Sequence, residues 1–393
     1  MPTLIATTVV RHSLASEPSG FVYTIDAETK QITGRSPIVE PPHRDRDPNT
    51  TGGLRGGRGL FVLGDEIFIA NNSAVYRYDK HWNLLSTISH PLCANVHDVA
   101  VRGDSMWMTC SGNDLLLELD LQGNARGFWY AREDADRMSS LKWETNMLYT
   151  RQDFEAGEID FRDPDAFEMT RSDGGHVNSV ALLPDGRTMV MIGLMWSRRF
   201  NFLYRVRMIM FKLGLWKHFR NAVRRSIILM GRKPAANDLG IAVAKAQSAI
   251  VMLDRNKQSP RVLRVIPDAH VPTHSLLLGG PHRAFYANSS TGVLVEFDPE
   301  TGATRQECKI GEVFLRGLAL LGSDQLVAGD QQDLCFVDWS APALQHRLRL
   351  TENPKESIYD VKVLPAGSDP IPPRLQGEIV QTLPRKEKSA STV

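Results

Sequence analysis

The sequence predicts an all-β fold, a seven-bladed β-propeller with one α-helical insertion. Seven short segments share a pattern in which a polar residue and a small or polar residue precede a run of apolar residues. Their leading residues lie 39 to 43 positions apart, except for one step of 96 positions that contains an unrelated segment. A period near 40 residues is typical of propellers, in which each repeat supplies a blade of about four strands. The leading residues are Arg58, His97, Ser139, Asn178, His274, Arg316 and Tyr359.

The two ends of the chain are predicted to form one blade together. Strand-like residues 3–10 and 21–26, with the extended segment that follows them, are one strand short of a blade. We expect residues 359–364 to supply the missing innermost strand, because closing the ring leaves no free sheet edge. Six blades and an additional strand are the alternative. The propeller then spans residues 1–365, and the tail 366–393, which has no periodicity, is expected to be disordered.

The repeats differ in how clearly they predict strands. A loop rich in proline, glycine and charge (37–57) leads into the second repeat, where AVYRYD alternates as a half-buried strand does. The third repeat, from His97, is the most regular, and the fourth, from Ser139, is the weakest in composition. The fifth begins NSVALLPDGRTMVMIGL, is interrupted by the insertion and resumes at SAIVMLDR. The sixth and seventh return to regular strands and turns.

Composition excludes several classes of protein. The net charge of +1 argues against a nucleic-acid-binding protein, and 42% apolar residues are ordinary for a globular domain. The cysteines have no metal-binding spacing, so buried, reduced thiols are expected. No basic region precedes the short apolar run at the N-terminus, and no run of 18 apolar residues occurs; a cytoplasmic protein is therefore predicted. The four cysteines are Cys93, Cys110, Cys308 and Cys335.

The leading residues are expected to meet at one mouth of the central channel, because each begins the innermost strand of a blade. Two guanidinium groups, two imidazoles, an amide and a phenol are suited to binding a small anion. We predict that Arg58 and Arg316 hold the anion and that His97 and His274 act as acid and base. Asn178 and Tyr359 would orient the substrate. The alternative is that the polar ring is merely hydrated.

The repeats resemble the broad superfamily of propellers with NHL-type or YVTN-type repeats, over roughly residues 3–365. The resemblance lies in the period, in LPDG and in the strand–turn–strand segment GVLVEFDPETG. It implies membership beside gluconolactonase-like and strictosidine-synthase-like enzymes, in a superfamily of lactonases, lyases, amidating enzymes and binding scaffolds. Metal-centred propeller enzymes in it, such as the peptide-amidating lyases, use inward histidines. A metal site at His97, His274 and His176 is therefore an alternative to purely substrate-binding histidines.

The insertion, 195–247, differs from the repeats in charge and periodicity. Its residues 195–237 hold eleven Lys/Arg and no Asp or Glu, which leaves 35 basic against 45 acidic residues elsewhere. Apolar residues recur at helical spacing, so two basic amphipathic helices are predicted, and such helices bind anionic membrane surfaces. A lid over the channel or a docking helix for a protein is the alternative. The predicted membrane contacts are Arg198, Arg199, Arg205, Trp216, Lys217, Arg224 and Arg225.

These observations predict a peripheral-membrane propeller enzyme. A lyase, hydrolase or cyclising activity would act at the channel mouth on a small anionic or amphiphilic substrate. The insertion follows the second strand of its blade, and that strand ends on the face that carries the ring, so the helices would lie above the site. The alternative is a non-catalytic binding module that docks through the helices. No cofactor is identified by the sequence, and no nucleic-acid partner is expected.

Overall fold

The structure, a computed structural model, is a ring of six β-sheets. It describes residues 2–14, 16–41, 43, 56–143, 145, 147–168, 172–195, 213, 215, 246–257, 259–269, 271–378, 380–381 and 383. Within them, 24 strands form six antiparallel sheets of four strands each. The fold is thus a β-propeller of six blades, and the prediction of seven blades was wrong.

Each blade takes four strands in succession, apart from the blade that the chain ends share. Blade one contains β1 (Thr3–Val10), β2 (Phe21–Asp26), β3 (Gln31–Pro37) and, innermost, β24 (Glu356–Val363). Blade two contains β4 (Leu60–Leu63), β5 (Glu66–Ala70), β6 (Val75–Asp79) and β7 (Leu84–Ile88). Blade three contains β8 (Val96–Arg102), β9 (Ser105–Cys110), β10 (Leu115–Asp120) and β11 (Ala125–Tyr130).

The other three blades repeat this order. Blade four contains β12 (Val177–Leu182), β13 (Thr188–Met195), β14 (Gln247–Leu253) and β15 (Arg261–Ile266). Blade five contains β16 (His274–Gly280), β17 (Arg283–Asn288), β18 (Val293–Phe297) and β19 (Thr304–Lys309). Blade six contains β20 (Leu315–Leu321), β21 (Gln325–Asp330), β22 (Asp333–Asp338) and β23 (Ala343–Arg349).

The repeat expected from Ser139 is a connection between blades three and four. Its described residues include a 3-10 turn, Ser139–Leu141, and the helix α1 (Arg151–Ala156). Thr150 caps α1 through a reciprocal capping box with Asp153, and the helix ends at Gly157 in the left-handed conformation. Three aromatic rings of the connection pack into the core beside blade three, so its apolar residues are buried without forming a blade. They are Phe154, Phe161 and Phe167.

The core lies between the blades. Six clusters of buried apolar side chains fill the interfaces, one between each two neighbouring blades. All four cysteines are buried and free, as the sequence predicts.

The chain ends meet in blade one, where β24 pairs with β1 from Leu4↔Val363 to Val10↔Glu356. The carboxylate of Glu356, fully buried, accepts hydrogen bonds from Thr8 Oγ1 at 2.7 Å and from the Tyr23 hydroxyl at 2.9 Å. This carboxylate therefore connects the C-terminal strand to two N-terminal strands.

Around the channel, neighbouring blades are also joined at the residue that follows each leading residue. Where it has a polar side chain, that side chain accepts a hydrogen bond from a backbone N–H of the next blade. Where it is glycine, the neighbouring backbone comes so close that a Cβ would lie 2.6 Å from Asp98 Cα (at Gly59) or 2.7 Å from Val361 N (at Gly317). The four bonds run to Asp98 from Val180 N, to Ser179 from Ser275 N, to Ser275 from Gly317 N and to Asp360 from Leu60 N.

The first part of the tail lies against blades one and two, although the sequence predicts disorder from residue 366. Ile371 and Leu375 are buried in the cluster between these blades. Trp82 Nε1 donates to the Asp369 carbonyl at 2.8 Å, and the Tyr78 hydroxyl donates to the Gln376 carbonyl at 2.6 Å. The described part of the tail is thus an extended segment held by burial and by side-chain hydrogen bonds.

Candidate metal centre

Six of the seven leading residues meet at the channel axis, one from each blade. Five of them, Arg58, His97, Asn178, His274 and Tyr359, are at most 5% exposed. Arg316 is partly buried beside them. Ser139 is exposed in the connection and does not belong to the ring, because no blade begins there.

Irregular pairing at the start of the innermost strands directs these side chains. His97, Asn178 and Tyr359 are each the extra residue of a β-bulge, unmatched on the neighbouring strand. In β16 and β20 the extra residue is the next one, Ser275 or Gly317. Bulges turn side chains away from the regular alternation and are common beside functional sites.

Three imidazoles stand together at the axis, and His176, just before β12, is the third. The ring centroid of His97 lies 4.5 Å from that of His176 and 6.0 Å from that of His274, and the last two are 5.9 Å apart. One ring nitrogen from each of the three lies within 4.8 Å of the others. This spacing is suited to a shared metal ion.

The hydrogen-bond partners of the three rings fix one tautomer for all of them. The Nδ1 of His97 lies 3.0 Å from the Asn95 carbonyl, and that of His176 lies 3.0 Å from an oxygen of Asp173. Both acceptors require an N–H at Nδ1.

The third ring is held by a hydroxyl. The Nδ1 of His274 lies 3.4 Å from Ser289 Oγ, whose own proton is donated to the Leu315 carbonyl at 2.7 Å. Ser289 can therefore only accept from His274. Each imidazole then keeps the Nε2 lone pair free, and Nε2 of His274 is buried without a partner among the described residues. Metal-binding histidines are typically oriented in this way.

Burial keeps two of the imidazoles neutral. Removal from water, followed by the charges of His176 and Arg58, holds the pKa of His97 well below its ordinary value. Burial and then the charge of Arg316 do the same to the pKa of His274. A neutral imidazole is a poor proton donor near pH 7, whereas it is the form that binds metal.

The loop that carries His176 is built around a buried ion pair. Asp114, fully buried, accepts from Arg132 Nε at 2.7 Å and from the backbone N–H groups of Gly174 and Gly175, each at 2.9 Å. His176 itself has a φ of +54°, a left-handed conformation that is costly for a residue with a side chain. The buried ion pair therefore stabilises a loop in which the backbone of His176 is strained.

A cationic wall adjoins the imidazoles. The guanidinium carbons of Arg58 and Arg316 lie 4.9 and 4.8 Å from the ring centroid of Tyr359, which lies 5.6 Å from that of His97. Burial raises the pKa of Tyr359 although both arginines lower it, so the phenol keeps its proton. Its buried hydroxyl lies close enough to the Arg58 guanidinium to accept a hydrogen bond from it. Asn178 Oδ1 is buried without a partner among the described residues.

A small cavity extends from the ring into the channel. It is lined by His97, His274, Asn178 and Tyr359, and also by residues of the inter-blade bonds. Its volume of about 10 Å³ is enough for one water or ion. A larger substrate must therefore approach from the mouth.

Comparison with known proteins identifies a fold and no family. No family model matches the chain, and no curated protein does. A chain from a nidogen/laminin complex superposes with a TM-score of 0.52 at 10% identity, over 92% of this chain and 98% of that one. A protein of unknown function from Bacteroides caccae superposes with a TM-score of 0.49 at 9% identity, over 92% of this chain and 98% of that one. The β-propeller domain of Myceliophteria thermophila Cps50 (Swd1) superposes with a TM-score of 0.42 at 8% identity, over 87% of this chain and 85% of that one.

Such likeness concerns the fold alone. The chain is an all-β propeller; its resemblance to the NHL/YVTN-repeat superfamily stays a prediction, as do the roles predicted for the ring residues. In the part of the chain that the structure describes, no helix has the length and apolar character needed to cross a membrane. Most of the insertion lies outside the described residues. So do all the predicted membrane contacts: Arg198, Arg199, Arg205, Trp216, Lys217, Arg224 and Arg225.

Sequence reasoning missed three contributors to the site. Arg11 follows β1, and Asp173 orients His176. Asp114 accepts a hydrogen bond from the backbone of the loop that carries His176. None of them occupies a leading position in a repeat. The sequence SDGGH at 172–176 carries one usable signal, since two successive glycines before a histidine indicate a tight loop.

Proposed function

We propose that this protein is a metal-dependent β-propeller enzyme of the hydrolase or lyase type, with His97, His176 and His274 as the ligands of a divalent ion. The observation that carries the proposal is the convergence of three imidazoles, each with Nδ1 occupied and Nε2 directed away from its hydrogen-bond partner. Zinc in catalytic sites is commonly bound by three protein ligands, with one position left for water or substrate.

The ring atoms fit such an ion with a small movement. Zinc–nitrogen bonds are about 2.0–2.1 Å long, so ligand nitrogens around a tetrahedral ion lie roughly 3.4 Å apart. The three nitrogens here lie within 4.8 Å of one another. His176 is on a loop and His97 and His274 are at strand starts, where small rotations of the side chains would close the difference.

This proposal changes the role of two histidines. The sequence predicts that His97 and His274 act as acid and base, but their lowered pKa values favour ligands over proton donors. Tyr359 is better suited to donate a proton or hydrogen bond, because its phenol is protonated and the neighbouring Arg58 guanidinium can only donate to it, which leaves the phenol proton available. Arg58 and Arg316 keep their predicted role of holding an anionic group, and Asn178 that of orienting it.

The chemistry follows from these positions. A divalent ion held by three neutral imidazoles lowers the pKa of a bound water, or polarises a carbonyl or phosphoryl oxygen. Negative charge that develops on the substrate is stabilised by the two guanidinium groups and the phenol, from which water is largely excluded. Hydrolysis and elimination both proceed through such charge, which is why both reaction types remain within the proposal.

The metal content of the purified protein tests this proposal. We expect close to one equivalent of a divalent transition metal per chain, measured by inductively coupled plasma mass spectrometry after dialysis. Protein stripped with a chelator should recover the same stoichiometry when zinc, cobalt or manganese is added. A chain that is folded, binds none of these ions and still turns over a substrate would exclude a metal-dependent mechanism.

We also propose that the insertion brings the channel mouth to an anionic membrane surface. Two structural facts support the location: Met195, the last residue of β13, pairs with Gln247, the first of β14, and β13 runs past its partner Val177 at the ring end of β12. The insertion therefore leaves and re-enters the propeller on the face that carries the histidines. Its eleven uncompensated cations supply the attraction to anionic lipid.

Co-sedimentation with vesicles tests the membrane proposal. Binding to phosphatidylserine-rich vesicles should exceed binding to neutral vesicles, weaken at high salt, and vanish when residues 198–233 are replaced by a short Gly/Ser linker. The linker variant must keep the melting temperature of the parent. Equal binding to neutral vesicles, or none to either kind, contradicts an electrostatic membrane anchor.

A further inference from the structure

Three arginines from three neighbouring blades gather beside the histidines. Arg58 and Arg316, from blades two and six, contact Tyr359 of blade one, which lies between them. Arg11 follows β1 of the same blade one, and its guanidinium carbon lies 4.9 Å from the ring centroid of Phe314, two residues before Arg316. The three guanidinium groups thus lie along one side of the channel mouth.

We propose that Arg11, Arg58 and Arg316 bind a phosphate group of the substrate next to the three-histidine centre. This inference rests on the proposed function, because it names the substrate class of the same site. Arg11 is thereby assigned to substrate binding, although it lies outside the repeat pattern.

Two of the three arginines have no ion-pair partner among the described residues. Arg11 and Arg316 form no ion pair with any carboxylate in the described ranges, whereas Arg347, on the outer strand of blade six, pairs with Asp330 at 2.8 Å. Burial lowers the pKa of Arg316 to about 10, and the charges of Arg11 and Arg58 act in the same direction. Burial, followed by the charge of Arg58, lowers the pKa of Arg11. Like charges held together at this cost indicate a site for an anion.

The number and arrangement of the donors favour phosphate over a carboxylate. One guanidinium fork satisfies a planar carboxylate, which carries a single charge. Three guanidiniums from three blades, with the Tyr359 hydroxyl between them, can surround the three outer oxygens of a phosphomonoester and offset its two charges.

Calorimetric titration of the full chain with inorganic phosphate at low salt tests the proposal. We expect one site whose affinity falls with added salt, little binding of acetate, and weaker binding of succinate than of phosphate. Arg11→Gln and Arg316→Gln should each weaken phosphate binding at least about tenfold, the loss expected for a charge-assisted hydrogen bond. Arg305→Gln removes an exposed arginine paired with Asp298 on the outer strand of blade five, and it should leave binding unchanged.

Melting temperatures test the assignment independently of the phosphate titrations. In phosphate-free buffer Arg316→Gln should raise the melting temperature, because it removes repulsion within the cluster. Phosphate should raise the melting temperature of the parent protein and not that of an Arg11→Gln/Arg316→Gln double variant. Parent-like phosphate affinity in both single variants, or stronger binding of succinate than of phosphate, overturns the assignment.

The two proposals at this site fail separately. If the protein takes up metal but shows no phosphate site, the arginine cluster is wrongly assigned while the metal centre stands. If phosphate binds with the predicted arginine dependence to a chain that holds no metal, the metal-dependent function fails and the anion site stands. His176→Asn supplies a matching chain for that comparison, since it removes one imidazole and keeps all three arginines.

Discussion

Replacing His176 by asparagine should lower the metal content of the protein from about one equivalent to below about a tenth. In the proposed centre His176 supplies one of three ligand nitrogens, and two neutral imidazoles bind a divalent ion far more weakly than three. Asparagine is chosen because the position has a φ of +54°, which asparagine tolerates better than most residues. The fold should survive, because the side chain lies on a loop and is 17% exposed. Metal analysis and chelator competition give the content and the affinity.

The matched control is His282→Asn, at an exposed position in the turn between β16 and β17. It removes an imidazole without touching the channel, so metal content and affinity should equal those of the parent protein. If His176→Asn keeps full metal affinity as well, the ion is not held by His176, and the three-histidine centre is wrong.

Asp173→Asn separates orientation from ligation in the same centre. Asp173 is not one of the proposed ligands; it accepts the Nδ1 proton of His176 and would make Nε2 of that imidazole a better electron-pair donor to a metal ion. We expect metal affinity to fall about 10- to 100-fold, the range observed when such outer partners are removed, while stoichiometry at saturating metal stays at one. A merely structural role would alter the melting temperature and leave the affinity of the folded protein unchanged.

The propeller and most of its ring could be read from the repeats, because blade period and inward alternation are local properties of a sequence. The blade count could not. Ser139 begins a segment with the repeat's spacing and polar lead, yet Thr150 caps a helix there and Phe154 finds a core site beside blade three. Spacing alone does not decide whether four strands follow, so tertiary packing overrode the pattern.

The contributors outside the leading positions of the repeats are brought in by tertiary structure. His176 precedes its strand and reaches the axis through a loop that Asp114 holds from blade three, about sixty positions earlier in the chain. Arg11 approaches Arg316 only because the chain ends share a blade. The tail beyond residue 365 has no periodic pattern, since it is held by single anchors such as Ile371 and Leu375 rather than by a repeating face.

Ending the chain after Lys355 should abolish cooperative folding. The deletion removes β24, and with it the strand that lies between β1 and the channel in blade one. It also removes Glu356, which bonds to Thr8 and Tyr23, and Asp360, which bonds to the backbone of blade two. The apolar clusters on both sides of blade one lose their inner wall, so the ring is left open.

Two shorter deletions locate the effect. Ending the chain after Leu383 keeps every residue that the structure describes, and its melting temperature should equal that of the parent. Ending it after Pro365 keeps β24 but removes Ile371 and Leu375, whose buried side chains contribute about 1.5–3 kcal/mol each. This chain should fold cooperatively with a free energy of unfolding lower by several kcal/mol, measured by urea denaturation followed by circular dichroism. If instead the chain ending at Lys355 melts cooperatively near the parental temperature, then blade one is stable without its C-terminal strand, and the shared blade does not close the ring.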